Sequence, residues 1–426
     1  MINIILALIL LQPIEVKEYN LANGLKVLIY EDHFAPVVST QVHYRVGSYN
    51  ESSGLTGISH LLEHMAFKGT KKYGPKEYNR IIEEAGGRNN AFTSIHRTVF
   101  YANLRSDRYE IELELEADKM QNLLIPPDEF IPEKDVVIEE RRLGENDPHQ
   151  NLFEHLDLVS FSYHPYRNPI IGFMSDIERL TRDDVYNWYK KYYNPANAII
   201  IIAGDVNPEE ALRLVKKHYG NINGKKEQDI LFEEPPQNGE KRFELKKDIR
   251  TPALAIQYHA VGLNHEDMYA FDIISMILSF GMSSRFEKNL VREAGIATTI
   301  NTYSSTLKYG GSFSILGIPQ KGIDIQSLEK EIYNEIEKLK NEPVTDAELK
   351  KAKNQVLAQM IYEQDSAARI ARILGWWEIE GGAWQNINRY PEEVQKLTKE
   401  DIIEVAQKYF RKDNRTVGYL LPKEEK

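Results

Sequence analysis

The strongest constraint on the fold is an internal repeat. The run Leu180-Thr181-Arg182-Asp183-Asp184-Val185, continuing to Tyr192-Tyr193-Asn194-Pro195-Ala196-Asn197, returns as Leu397-Thr398-Lys399-Glu400-Asp401-Ile402, continuing to Tyr409-Phe410-Arg411-Lys412-Asp413-Asn414. Each copy leads into an apolar, strand-like stretch, residues 199–203 and 416–421. An offset of 217 residues (Leu180 to Leu397) is too long for a solenoid unit and right for a duplicated domain. The polar stretch around Pro235-Pro236 has linker composition. The 426 residues therefore divide into a first half over 17–222, a linker over 223–241 and a second half over 242–426, with 1–16 standing apart.

Residues 2–11 form a largely apolar run, too short to span a bilayer but long enough for the core of a signal peptide. No Lys or Arg precedes it and no small-x-small cleavage site follows before Lys17, so an N-terminal buried strand is the other reading. The first implies a periplasmic or secreted protein, the second a cytoplasmic one. The chain has no cysteine, which excludes disulfides, thiolate metal sites and thiol nucleophiles. A formal charge of -11 argues against a nucleic-acid partner, which needs a basic footprint.

Along the first half, residues 18–30 read as strand, Asn23-Gly24 turn, strand. Residues 37–46 alternate as a strand, and a polar loop over 47–57 follows. A helix over 75–85 stops at Gly86-Gly87. Residues 89–94 are small and polar and precede the strand-like 98–102; they suit either an ordinary edge strand or one that pairs with an extended peptide. Two helices follow, over 109–124 and within 126–145. On the second, Glu133 and Glu140 are seven apart and share a face with Val136 and Val137, a setting in which a carboxylate calls for a cation. Glu139 and Arg141 point elsewhere, toward solvent.

The chemistry concentrates in Gly57-Ile58-Ser59-His60-Leu61-Leu62-Glu63-His64-Met65-Ala66-Phe67. In a helix, His60 and His64 lie one turn apart on one face with Glu63 beside them. Neutral imidazoles suit zinc, and a carboxylate held off the metal can take a proton from an attacking water. The alternative, two satisfied core histidines, would require a separate partner for each ring. H-x-x-E-H is the inverzincin order of this motif. Aligning the halves by their preceding strands sets Ser275, Leu278 and Ser279 against His60, Glu63 and His64, and the repeat offset sets Ile277, Phe280 and Gly281 there. Neither register supplies ligands, so the second half is expected to lack a metal site.

These residues resemble the M16 (pitrilysin) family of zinc peptidases, in particular the short M16B members related to the mitochondrial processing peptidase. The run His60-Leu61-Leu62-Glu63-His64-Met65-Ala66-Phe67-Lys68-Gly69-Thr70 looks like the family's active-site helix nearly letter for letter. The resemblance implies an α+β fold of two homologous sandwich domains, each a mostly antiparallel sheet covered by helices. It implies one zinc ion per chain on His60, His64 and Glu140, with Glu63 as catalytic base and Glu133 assisting without binding the metal. It also matches Asn90-Ala91-Phe92-Thr93 to the edge strand that docks substrate. The implied activity is a zinc endopeptidase acting on unfolded or extended peptides. The alternatives are a non-catalytic zinc-binding assembly subunit and a peptide-sequestering module.

Such families close a chamber from four domains, and this chain supplies two, which implies a homologous partner subunit. Active relatives carry an Arg and, seven residues later, a Tyr just past a Gly-Leu step in the second or partner half. Here Val291 and Thr298 stand at those places, with Arg292 one position off. The expected active form is therefore a heterodimer in which a related chain lacking the zinc motif supplies the pair, with a homodimer as the other arrangement.

Overall fold

The computed structural model describes residues 13–228 and 230–423. The apolar run over residues 2–11 lies outside the described residues. Strands β1 (Lys17–Asn20), β2 (Lys26–Glu31), β3 (Val37–Tyr44), β4 (Arg88–Thr93), β5 (Thr98–Arg105) and β6 (Ala198–Gly204) form one sheet in the order β1-β2-β6-β3-β5-β4. Strands β7 (Lys241–Lys247), β8 (Ala253–Ala260), β9 (Ala297–Leu307), β10 (Gly310–Pro319) and β11 (Arg415–Pro422) form a second in the order β7-β11-β8-β10-β9. With β1 set aside, the two orders match strand for strand. Each sheet has one parallel pair, β2 with β6 and β7 with β11, and is otherwise antiparallel.

The repeat accounts for the match. In each copy a Thr-x-x-Asp box starts a helix, Arg182–Tyr192 or Lys399–Tyr409. Asp184 N donates to Thr181 Oγ1 (3.2 Å) and Thr181 N to Asp184 Oδ2 (2.9 Å), and Thr398 and Asp401 repeat the exchange at 3.2 and 2.7 Å. After each helix a short 3-10 turn feeds the chain into an interior strand, β6 or β11. Ile199, Ile200, Ile201 and Ile202 of β6 are fully buried, as a strand covered on both faces must be.

Each sheet borrows a helix from the other half. The helix Pro148–Ser160 lies across β8 and β11, and the helix Ala367–Ile379 lies across β3 and β6. A glutamine marks each crossing: Gln41 Nε2 donates to Ala368 O and Gln257 Nε2 to Asp157 Oδ1, both at 3.0 Å. At the first crossing Gly375 lies against the buried His43 ring, where a Cβ would come within 2.1 Å of Cε1. Residues 223–228 and 230–240 run over the protein surface without helix or strand. Tyr49 Oη donates to Ile230 O (2.7 Å), and the Glu234 carboxylate accepts the backbone N–H groups of Ser162, Tyr163 and His164.

Arg141 departs from the sequence reading. It is buried rather than solvated, with Nη1 on both Glu154 oxygens at 2.8 and 2.7 Å and Nε 3.1 Å from Glu145 Oε1. The cause is a sharp turn at Asp147, which caps the helix Pro148–Ser160 and folds it back on the helix Pro127–Asn146. Val137 is buried as its face requires, whereas Val136 is half-exposed, one turn before Glu140. Among the described residues, no helix is long and apolar enough to cross a membrane.

Candidate metal centre

The polar loop over 47–57 is held from beneath by two carboxylates. Asp176 Oδ2 accepts Thr56 Oγ1 (2.7 Å) and Gly54 N (3.1 Å). Buried Glu51 accepts Gly57 N (2.7 Å) and Ser59 N (2.9 Å), the free donors at the start of the helix Ile58–Met65. Burial pushes the Glu51 carboxyl up to about 7 against the pull of those N–H groups. Gly57 turns the chain at φ +84, and a Cβ there would meet Ile171 O at 2.3 Å. Leu61, Leu62 and Met65 then bury one face of the helix, leaving His60 and His64 on its other face.

Glu140 meets the two rings from the helix Pro127–Asn146. Its Oε2 lies 3.9 Å from His60 Nε2 and 3.6 Å from His64 Nε2. The three ligand atoms fall within 4.8 Å of one another. Tetrahedral zinc with bonds of about 2.0–2.1 Å spaces its ligands about 3.4 Å apart, so the two contacts of Glu140 lie a few tenths of an ångström beyond the spacing that ion needs. His60 adds a second sign of fit. Burial, with His64 beside it, drives its pKa down to about 3, and its buried Nδ1 has no hydrogen-bond partner among the described residues. A neutral imidazole has one nitrogen free to bind a cation, and Nε2 is the His60 nitrogen on the Glu140 side.

His64 is supported differently. Its Nδ1 hydrogen-bonds Glu133 Oε1 at 2.8 Å, and Glu133 Oε2 is paired with Lys68 Nζ. Burial works to raise the Glu133 carboxyl, but Lys68 and His64 outweigh it and hold it below its ordinary value. Glu63 stands outside the ligand set, largely buried, and accepts Thr93 Oγ1 at 2.6 Å. Burial raises its carboxyl above the ordinary value although Thr93 and His64 act to lower it.

Asn90, Ala91, Phe92 and Thr93 lie on β4, the last strand of its sheet, paired to β5 on one side and open on the other. Thr93 therefore ties the open edge to Glu63. In the second half, the helix Met268–Ser279 takes the place of the histidine helix and turns Ser275 and Ser279 toward Thr302 of β9, with hydroxyls 2.7 and 2.6 Å apart. Phe286–Glu293 is wound as a π-helix, with Ala294 N donating five residues back to Asn289 O (3.0 Å). Val291 packs against the core, Thr298 Oγ1 is engaged by Pro319 O and Gln320 Oε1, and Arg292 is exposed. Sequence reasoning missed Glu51, Asp176 and Lys68. Only Lys68 left a signal, one helical turn beyond His64 on the same face.

The sequence profile of the insulinase group of peptidase family M16 matches residues 26–173, and that of the M16 inactive domain matches 179–356. The chain belongs to peptidase family M16. A zinc protease of Helicobacter pylori, PqqE, is 32% identical over 408 residues, covering 94% of this chain and 92% of that one. The crystal structure of a protease from Helicobacter pylori superposes with a TM-score of 0.91 at 32% identity, over 96% of this chain and 100% of that one. The periplasmic protease PqqL of Escherichia coli shares the fold at 17% identity (TM-score 0.81); 95% of this M16 chain matches 47% of that longer one. The two-domain M16 fold, with mixed sheets covered by helices, is the one the sequence implied.

Proposed function

We propose that this chain is a zinc endopeptidase in which His60 Nε2, His64 Nε2 and Glu140 hold the ion. The convergence of those three groups from two helices carries the reading. Zinc there supplies Lewis acidity that polarises the scissile carbonyl and acidifies the attacking water. Glu63 takes the proton from that water and returns it to the leaving amine, a role suited to a buried carboxyl raised above its ordinary value. Thr93 holds one Glu63 oxygen in place, and Glu133 orients the His64 ring. The free edge of β4 receives the substrate as an added strand, so unfolded or extended peptides are the substrates.

A second subunit completes the chamber and brings the Arg and Tyr that Val291 and Thr298 replace. Three observations support this. Val136, Glu139 and Leu143 leave the outer face of the Glu140 helix exposed, the β4 edge is open, and the Escherichia coli protease is about twice the length of the matched fold. The test is zinc content and cleavage of an internally quenched peptide, with and without a homologous subunit. Glu63→Gln should keep zinc and lose activity by about 100- to 10,000-fold, and His60→Ala should lose zinc. Wild-type cleavage by Glu63→Gln would show the base to be misassigned. Full activity of a zinc-loaded homodimer would remove the need for a heterologous subunit.

A further inference from the structure

We infer that Lys68 is a positioning residue of the metal centre, acting through Glu133 on His64; this rests on the zinc reading above. The helix ends at Met65, but the chain keeps turning: Phe67 N donates to His64 O and Lys68 N to Met65 O (3.3 and 3.0 Å). That continuation brings the Lys68 side chain back under Glu133. Its ammonium rests on Glu133 Oε2 and lies 3.6 Å from Glu129 Oε2, while Glu133 Oε1 sits 2.8 Å from His64 Nδ1. Lys68, Glu133 and His64 thus form one line ending at the ligand set.

A carboxylate held at one oxygen can still rotate; held at both, it cannot. With Oε2 committed to an ammonium, Oε1 serves only as an acceptor for His64 Nδ1–H. That choice fixes the tautomer and the tilt of the ring, and leaves the Nε2 lone pair toward Glu140. The two histidines differ in this respect. His60 Nδ1 has no hydrogen-bond partner among the described residues, so the hydrogen-bond control of the site falls on His64.

The charge of Lys68 works in the opposite direction. An ammonium near a dication opposes binding, but here Glu133 cancels most of its field. Losing the ammonium while Glu133 is present frees the carboxylate and disturbs His64, an outer-partner change that weakens metal binding about 10- to 100-fold. Losing it when Glu133 is already gone only removes a repulsive charge. Lys68→Met should therefore weaken zinc binding when Glu133 is present and not when it is absent.

The experiment measures the zinc dissociation constant of the full chain by competition with a chromophoric chelator, for wild type, Lys68→Met, Glu133→Gln and the double variant. Metal-free thermal unfolding runs beside it as a check on folding. Lys68→Met should bind about tenfold more weakly than wild type, and the double variant should bind no more weakly than Glu133→Gln. Lys68→Arg, which keeps the bond, should stay within about threefold of wild type. Lys72→Met, whose ammonium is engaged with Glu114 instead, should not move the constant. Wild-type affinity in Lys68→Met, or the same loss in both backgrounds, overturns the inference. Failure of wild type itself to bind zinc would instead sink the zinc reading on which it rests.

Discussion

Gly375→Ala sets helix propensity against packing, and the two predict opposite signs. Ala in a helix interior is favoured over Gly by about 1 kcal/mol. In this fold, an added Cβ would sit 2.1, 2.5 and 2.7 Å from Cε1, Nδ1 and Nε2 of His43. Carbon atoms need about 3.5–4.0 Å, so the helix or the ring must retreat by about 1.5 Å. The ring has nowhere to go. It is fully buried, its Nε2 is 3.0 Å from Gln41 Oε1, and Gln41 Nε2 binds Ala368 O on the same helix. Overpacking of this kind costs about 1–3 kcal/mol, and two strained hydrogen bonds add about 1 kcal/mol each. After the propensity gain, a net loss of about 2–4 kcal/mol remains.

The measurement is the midpoint of urea unfolding, followed by the fluorescence of Trp376 and Trp377, which directly follow the substituted position. Gly239→Ala is the control, because nothing lies within 4 Å of a Cβ there. Adding His43→Ala to Gly375→Ala should recover part of the loss by freeing the ring's volume. A Gly375→Ala protein as stable as wild type, or more so, would mean that the second half's helix is not pinned to the first sheet as described.

Further outcomes follow from single groups. Thr93→Val should retain zinc yet lower turnover about tenfold or more, since a hydrogen bond to a charged group is worth about 1.5–3 kcal/mol; loss of zinc instead would place Thr93 in metal binding. Arg141→Met strands Glu154 beneath the helix pair and should cost about 3 kcal/mol in chemical denaturation. Burial pushes the Glu380 carboxyl up to about 7, above its unfolded value near 4.5. The unfolded chain ionises first, so this group's contribution falls as pH rises from about 4.5 to about 7 and stays lost above that. Glu380→Gln should flatten that part of the stability–pH curve; an unchanged slope would assign it to other groups.

Much of the fold was legible because its signals are local. The Thr-x-x-Asp boxes at Thr181 and Thr398, the Asn23-Gly24 turn and the apolar β6 each act within a few residues, and duplication carried the same instructions to both sheets. Helical spacing likewise set His60, Glu63 and His64 together, and the seven-residue interval set Glu133 and Glu140 on one face. Arg141 was misread because its partner, Glu154, comes within reach only after the chain doubles back at Asp147.

What residues separated by a turn or two can arrange, the sequence alone determined: individual helices and strands, the Asn23-Gly24 turn, and which side chains face the same way. Tertiary structure decided everything that depends on a distant surface. Asp176 becomes an anchor of the loop before the histidine helix, Glu140 closes on two rings from 76 positions away (His64 to Glu140), and each sheet is covered by the other half's helix. The physical reason is range. Backbone propensity and side-chain periodicity act over one or two turns, whereas the partner of a buried charge is chosen only when packing has excluded water from both.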